Sequence, residues 1–257
     1  MINADRADHR EYASGEFFKR FKEELSSENS FKNRFSDIPW ISIQYAPDST
    51  FRTVTWQIDK GEGDHAYFGY LQKSDNSFYE LAGKRGRSTV NSNQVLSFEQ
   101  WKGALIYKIL QLPDSTGTYY LLTYHMMDAF TKVKTLEPIQ FEDGQVLLGK
   151  NGQFDSSGEV SGLDSRLVIK YSMDANAGIN YDPDSRRLVY DNLVAVQGRI
   201  PGQGPTLVPD GSYRAYEWSE DKGWDYVEKL FSQWNEGPLE QNRDRTNDRK
   251  LFKKKNR

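Results

Sequence analysis

The spacing of hydrophobic positions along this chain changes once, close to residue 30. Before that point they recur every three or four residues, which places an apolar stripe on one side of a helix and charged residues on the other. The stripe consists of Phe17, Phe18, Phe21 and Leu25. Ser14 stands where it can cap the first turn. The pattern predicts one amphipathic N-terminal helix that begins at Ser14 and follows a polar leader, residues 1–13.

After the helix, apolar and β-branched residues alternate in short runs that are separated by residues typical of turns. These runs predict strands at 40–46, 51–58, 65–73, 77–82, 104–112, 118–126, 134–141, 145–149, 166–172, 177–182, 186–196, 213–218 and 224–231. Short strands at close spacing predict a mainly β protein built from antiparallel sheets. The arrangement could be a sandwich, a barrel or an irregular propeller-like fold, joined to the N-terminal helix.

One ten-residue pattern occurs twice, as "PDSTFRTVTW" from Pro47 and as "PDGSYRAYEW" from Pro209. The sequence PDS or PDG also occurs at Pro113 and Pro183. Proline followed by aspartate favours a turn, so each copy predicts a hairpin corner that leads into a strand. The aromatic residue and the tryptophan of each copy then point to opposite faces, one in the core and one partly exposed. Uneven spacing of the four turns argues against a strict propeller repeat.

Composition predicts a folded domain followed by a basic tail. Aromatic residues make up 14% of the chain, so residues 14–234 are expected to fold as a single domain. The net charge of −3 gives no reason to expect nucleic-acid binding. The tail, residues 235–257, could simply aid solubility or could contact an acidic partner or an anionic lipid surface. Its candidate contact residues are Arg249, Lys250, Lys253, Lys254 and Lys255.

The chain contains no cysteine, which excludes disulfides, thiolate metal sites and cysteine nucleophiles. No apolar run approaches the ~20 residues that cross a bilayer. The polar start has no hydrophobic signal core, which indicates a cytoplasmic protein if Met1 is the native first residue. No cofactor is expected.

Two carboxylates near the end of the predicted domain are candidates for catalysis. Glu217 and Asp225 lie close to Trp218 and Trp224, and paired acids beside aromatic side chains suit glycoside hydrolysis. Both acids could equally be ordinary outward-facing strand residues. The two tryptophans are also candidate contacts for a protein or glycan partner.

Metal sites have weaker signals. Asp174, Asn176, Asp182 and Asp184 are spaced loosely like an oxygen-rich calcium loop, although the order does not match an EF-hand and turns would also explain it. A second possibility combines His65 and His125 with Asp64 or Asp128, because imidazole and carboxylate suit zinc or iron.

The order of several motifs resembles a group of uncharacterised exported proteins common in Bacteroidota. These motifs are "SIQYAPDSTFRTVTWQ", "ALIYKILQLPDSTGTYYLLTYH", "RLVIKYSMDANAGINYDPDSRRLVYDNLVAVQG" and "VPDGSYRAYEWSEDKGWDYVE", and the similarity covers roughly residues 16 to 231. The resemblance implies a β-rich fold and a location in the periplasm or at the outer membrane. It implies no catalytic residues. The chain departs from such exported proteins in lacking a signal peptide and a lipobox cysteine.

Together these observations favour a non-catalytic binding or accessory protein of the bacterial cell envelope that acts through protein–protein contacts. The alternative is a glycan-active hydrolase that uses paired carboxylates.

Overall fold

The computed structural model describes residues 4–85, 92–113, 115, 117–154 and 164–227. Within them the protein is mainly β, with three antiparallel sheets and one N-terminal helix, and none of these sheets closes into a barrel. The predicted fold class is therefore confirmed. Each predicted strand overlaps an observed one, and the short strand Leu96–Ser97 was not predicted.

The helix α1 spans Ala7–Leu25 and precedes fourteen strands. Sheet A contains β1 (Ser42–Tyr45), β2 (Phe51–Gly61), β3 (Asp64–Lys73) and β4 (Phe78–Arg85), paired in chain order. Sheet B contains β5 (Leu96–Ser97), β6 (Leu105–Gln111), β7 (Thr118–Met126), β8 (Thr131–Glu142), β9 (Gln145–Leu148) and β10 (Leu167–Ser172). Its order is β5-β9-β8-β7-β6, with β10 paired to β8. Sheet C contains β11 (Ile179–Asp182), β12 (Arg187–Gln197), β13 (Pro205–Ser219) and β14 (Gly223–Val227), also in chain order.

The helix and the three sheets stack as four layers, α1–A–B–C, with an apolar core in each gap. Phe21 of α1 packs with Val54 and Trp56 on one face of sheet A. The opposite face of sheet A packs against sheet B, and the second face of sheet B packs against sheet C. Both faces of sheets A and B are therefore covered. Sheet C alone presents a face to solvent in the described structure.

This layering explains why the repeated ten-residue pattern behaves differently in its two copies. In β2, Phe51 contributes to the core between sheets A and B, while Trp56 lies in the core beneath α1. In β13, Trp218 is buried against sheet B but Tyr213 is 47% exposed. One partly exposed face was expected in both copies. Only the copy in the outer sheet has it.

The predicted turns at Pro47, Pro113 and Pro183 lie between consecutive strands, but the turn predicted at Pro209 was wrong. Pro209 lies inside β13, where the pairing with β12 shifts register between Asp191 and Leu193. The PDG sequence therefore forms a bulge within a long strand rather than a hairpin corner.

The helix begins seven residues earlier than predicted, so most of the expected polar leader is helical. Arg6 is the N-cap residue, and Arg10 Nε donates to the carbonyl oxygen of Asp59 in sheet A at 2.6 Å. Ser14 does not cap the helix. It is fully buried, and its Oγ accepts a hydrogen bond from Trp56 Nε1 at 2.9 Å.

Replacing Ser14 with alanine should lower the free energy of unfolding by about 1–3 kcal/mol, because the buried indole N–H of Trp56 would lose its acceptor. The better helix propensity of alanine offsets only about 0.5 kcal/mol. Urea unfolding followed by tryptophan fluorescence measures the loss. Ser27→Ala is the matched control, since Ser27 is exposed and should change stability by less than about 0.5 kcal/mol. Equal effects of the two substitutions would contradict the role assigned to Ser14.

Candidate binding surface

The distal halves of β12 and β13, residues 193–197 and 205–209, form a two-stranded ribbon. β11 pairs with β12 only from Arg187 to Tyr190, and β14 pairs with β13 only from Ala215 to Ser219. Beyond these limits the two strands pair only with each other in the described structure. We call this segment the ribbon.

The bulge at the base of the ribbon is built by short polar contacts. Asp210 Oδ1 accepts hydrogen bonds from the Ser212 backbone N–H at 2.8 Å and from its hydroxyl at 2.7 Å. Asn192 Nδ2 donates to Asp210 Oδ2 at 2.8 Å. Gly211 has a φ of +88°, a conformation that favours glycine. These contacts fix where the ribbon leaves the four-stranded part of sheet C.

Exposed apolar side chains concentrate around the ribbon. Val194, Val196 and Leu207 on its two strands are 37%, 39% and 38% exposed. Met173 and Tyr213 are exposed close to it. Five of the seven large apolar side chains exposed in the described residues thus belong to this region; Tyr12 and Trp40 lie elsewhere. Clustered apolar exposure of this kind marks interaction sites, whereas scattered single residues do not.

A groove of about 470 Å³ separates the ribbon from the segment that joins β10 to β11. Its main lining residues are Ser172, Asp174, Asn176, Val196, Thr206 and Val208. At the ribbon tip, Gln203 Nε2 donates to Ser172 Oγ at 2.8 Å and holds the tip against the end of β10. A groove of this volume falls within the roughly 300–1,000 Å³ that is usual for ligand pockets.

Asp174 and Arg199 bring opposite charges to the groove. Neither side chain forms an ion pair or a side-chain hydrogen bond with another described residue. Both charges are therefore available to a bound molecule.

The structure divides the predicted calcium ligands into two pairs. Asp174 and Asn176 lie at the groove, whereas Asp182 is the last residue of β11 and Asp184 lies in the turn that follows it. The length of β11 separates the pairs. A hydrogen bond from Ser185 holds the pKa of Asp182 below its usual value, which is typical of a turn carboxylate. The described residues contain no group of three or more acids and histidines that could hold a metal ion.

Glu217 and Asp225 lie directly opposite each other on β13 and β14, on the solvent-facing side of sheet C. Arg187 of β12 donates to Glu217 Oε2 from Nη2 at 2.9 Å, and Lys222 Nζ lies 3.6 Å from Asp225 Oδ2. The two acids are thus neighbours on the solvent-facing side of the sheet, with Arg187 beside one and Lys222 beside the other. Each carboxylate has a cation beside it.

Trp218 and Trp224 point to the opposite side of sheet C from these acids and are buried between sheets B and C. Their ring centroids are 5.4 Å apart, and Trp218 Nε1 donates to the carbonyl oxygen of Pro113 at 3.2 Å. The prediction that they contact a partner does not fit this burial. The alternation of side chains along a strand shows that the tryptophans and the acids point to opposite faces, but it does not show which face is buried.

The histidines are not assembled into a metal site in the described residues. His65 and His125 both lie beside Tyr67, with ring centroids 6.5 Å and 6.4 Å from the tyrosine ring. Asp128 instead accepts a hydrogen bond from the Phe130 backbone N–H in a turn. The basic contact residues predicted at Arg249, Lys250, Lys253, Lys254 and Lys255 lie outside the described residues.

Sequence reasoning missed a buried polar cluster on β7 and β8. His125 and Glu137 line a cavity of about 30 Å³ together with Thr123 and Thr135. Burial raises the pKa of Glu137 to about 7, and Arg166, whose Nε lies 2.9 Å from both carboxylate oxygens, partly opposes the rise. Burial, with a smaller contribution from Lys170, lowers the pKa of His125 to about 4. The cavity has room for about one water molecule, so we assign the cluster to the core rather than to substrate binding.

The ribbon itself did leave a signal in the sequence. The segment "LVAVQGRIPGQGPTLVPD" places two uncharged apolar runs on either side of a loop rich in glycine and proline. If such a hairpin were part of a core, other elements would have to cover both of its faces.

No protein-family model, curated protein or solved structure matches this chain. No helix in the described residues is long and apolar enough to cross a membrane.

Proposed function

We propose that this protein is a non-catalytic binding protein that contacts a partner protein through the ribbon and its groove. The observation that carries the proposal is the concentration of exposed apolar side chains on the ribbon, next to a groove that contains two unpaired charges. A location in the bacterial cell envelope is part of the proposal and rests on the resemblance in the sequence.

Burial of the exposed ribbon side chains would supply the driving force for binding. Each buried square ångström of apolar surface contributes roughly 25 cal/mol. The tip of the ribbon is held against β10, so little conformational entropy is lost when a partner binds. Charged rim residues such as Asp174 and Arg199 would then orient the partner.

We do not propose the glycan hydrolase. Glu217 and Asp225 share an exposed sheet face, and Arg187 and Lys222 lie beside them. A glycosidase instead flanks the scissile bond with two carboxyl groups, one of which carries a proton during catalysis.

Site-specific photo-crosslinking in cells of the native host tests the proposed function. A photoreactive amino acid at position 194 or 196, which share the face of the ribbon that lines the groove, should give a discrete adduct, and both positions should capture the same protein. Position 108 is the control, because Lys108 is exposed on β6, which belongs to sheet B and not to the ribbon. Absence of an adduct from the ribbon positions, or the same adduct from position 108, would contradict the proposal.

A further inference from the structure

We infer that the ribbon binds an extended peptide segment of its partner, which adds as a strand beside β12 within the groove. This inference rests on the proposed function and specifies the form in which the partner is presented. It combines three features of the ribbon: a free backbone edge on β12, side chains suited to a neighbouring strand, and the charges at the groove.

The outer edge of β12 is free over residues 193–197. The last contact along that edge is the hydrogen bond from the Asp191 backbone N–H to the carbonyl oxygen of Gly178, at 3.3 Å. Beyond it, β12 pairs only with β13 in the described part of the chain. A free strand edge presents unpaired N–H and C=O groups to whatever approaches it. An extended peptide can bond these groups, whereas the backbone groups of a helix are already bonded internally.

The two edges of the ribbon differ in how well they are protected. On β13, Pro205 and Pro209 have no backbone N–H to offer, and proline is a usual device for protecting an edge. Residues 193–197 of β12, with the sequence LVAVQ, contain neither proline nor charge. The unprotected edge is therefore the one on β12. A strand of five residues paired to it would span about 17 Å.

The side chains that line the groove suit such a strand. On β12, the strand that the peptide would adjoin, Val196 lines the groove and Val194 shares its face, and both are β-branched; Thr206 and Val208 lie opposite them on β13. Cross-strand pairs of β-branched residues stabilise a sheet. A partner strand should therefore carry Val, Ile or Thr at alternate positions.

The unpaired charges of the groove define the ends of the partner segment. Arg199 lies just beyond the end of β12, close to the ribbon tip, and Asp174 lies in the segment beside the groove. Complementary charge requires an acidic group near Arg199 and a basic group near Asp174. The partner chemistry is thus a β-branched stretch with a basic residue on one side and an acidic residue on the other.

Selection from a displayed library of random twelve-residue peptides against the full chain tests this inference. We expect enriched peptides to alternate β-branched residues between one basic and one acidic position. Val196→Lys should weaken their binding by about tenfold or more, because it places a charge against the apolar contacts. Arg199→Glu should change the selected acidic position to a basic one. Lys108→Glu is the control and should leave binding unchanged. Unchanged thermal unfolding of each variant establishes that its fold is intact.

Hydrogen exchange locates the bound peptide. An enriched peptide should slow exchange of the backbone amides in residues 193–197. Three results would overturn the inference: peptides that bind equally well to the Val196→Lys protein, protection that falls outside β12, or a dimer that forms at the β12 edge and is abolished by Val196→Lys. The last result would make a second copy of the chain the occupant. If photo-crosslinking captures a partner but no peptide protects β12, the proposed function stands and the strand addition fails.

Discussion

Replacing Arg52 with methionine is expected to lower the free energy of unfolding by about 3–5 kcal/mol, because several acceptors would each lose a hydrogen bond from a charged donor that is worth about 1.5–3 kcal/mol. The Arg52 side chain is fully buried, and every nitrogen of its guanidinium group donates a hydrogen bond. Nε donates to Gln72 Oε1 at 2.9 Å, and Nη2 donates to the Ser30 carbonyl oxygen at 2.8 Å. Nη1 donates to the Tyr45 hydroxyl at 2.8 Å and to the Asn33 carbonyl oxygen. Methionine would leave Gln72 Oε1 and the Ser30 carbonyl oxygen buried without this donor.

Aromatic rings take the place of a counter-ion for Arg52. The guanidinium carbon lies 5.6 Å from the ring centroid of Phe31, 5.3 Å from that of Phe35 and 5.5 Å from that of Tyr45. No carboxylate pairs with it in the described residues. Burial lowers the pKa of Arg52, but the side chain stays charged because an arginine pKa begins so high. The cation therefore ties the segment after α1 to sheet A through backbone carbonyls and ring faces.

The repeated ten-residue pattern supplies the control. Arg214 stands at the same place in the second copy but is exposed, so Arg214→Met should change the free energy of unfolding by less than about 0.5 kcal/mol. Urea unfolding of both variants gives the comparison. Equal losses in the two variants would show that Arg52 contributes no more than a surface arginine does.

The two arginines also show how far the sequence could predict the fold. Local patterns gave the strands, because alternation and turn residues act over a few positions. They could not show that one copy of the pattern lies in an inner sheet and the other in an outer sheet. That difference depends on the stacking of four layers, which is set by contacts between residues far apart in the chain. Arg52 and Arg214 occupy the same position in the local sequence pattern. Only the layering, which covers both faces of sheet A, shows that Arg52 is buried.

The candidate site was harder to predict for the same reason. A tryptophan on a strand predicts either core or binding surface, and only the position of sheet C assigns Trp218 to the core. The ribbon was not predicted, because the sequence at Pro209 and Gly211 is typical of a turn that ends a strand. In the structure they form a bulge within β13, and the strand continues on both sides of it. The exposed valines of β12 then lie beyond the reach of the neighbouring strands.

Single substitutions of His125 and Glu137 are expected to change the pH dependence of the free energy of unfolding in opposite directions. The pKa of Glu137 is about 7 in the folded protein, above its ordinary value of 4.5, so its contribution to stability is complete below pH 4.5 and is lost as pH rises to 7. The pKa of His125 is about 4, below its ordinary value of 6.5, so its contribution is complete above pH 6.5 and is lost as pH falls to 4. Each difference corresponds to about 3 kcal/mol.

The two dependences nearly cancel in the wild-type protein between about pH 4.5 and 6.5, as these pKa values imply. His125→Gln removes the histidine contribution, so its stability relative to wild type should be greatest at low pH and fall as pH rises. Glu137→Gln removes the glutamate contribution, so its stability relative to wild type should rise with pH. Other titrating groups contribute equally to each protein and disappear in the differences.

Urea unfolding at pH 4.5, 5.5, 6.5 and 7.5 measures these differences. A protein that carries both substitutions is the matched control, because its difference from wild type should be nearly independent of pH from 4.5 to 6.5, whatever its absolute stability. Differences from wild type that slope the same way in the two single variants would contradict the opposed titrations. A difference that stays constant with pH in one single variant would mean that the cavity between β7, β8 and the residues around Trp101 admits enough water to leave that group with its ordinary pKa.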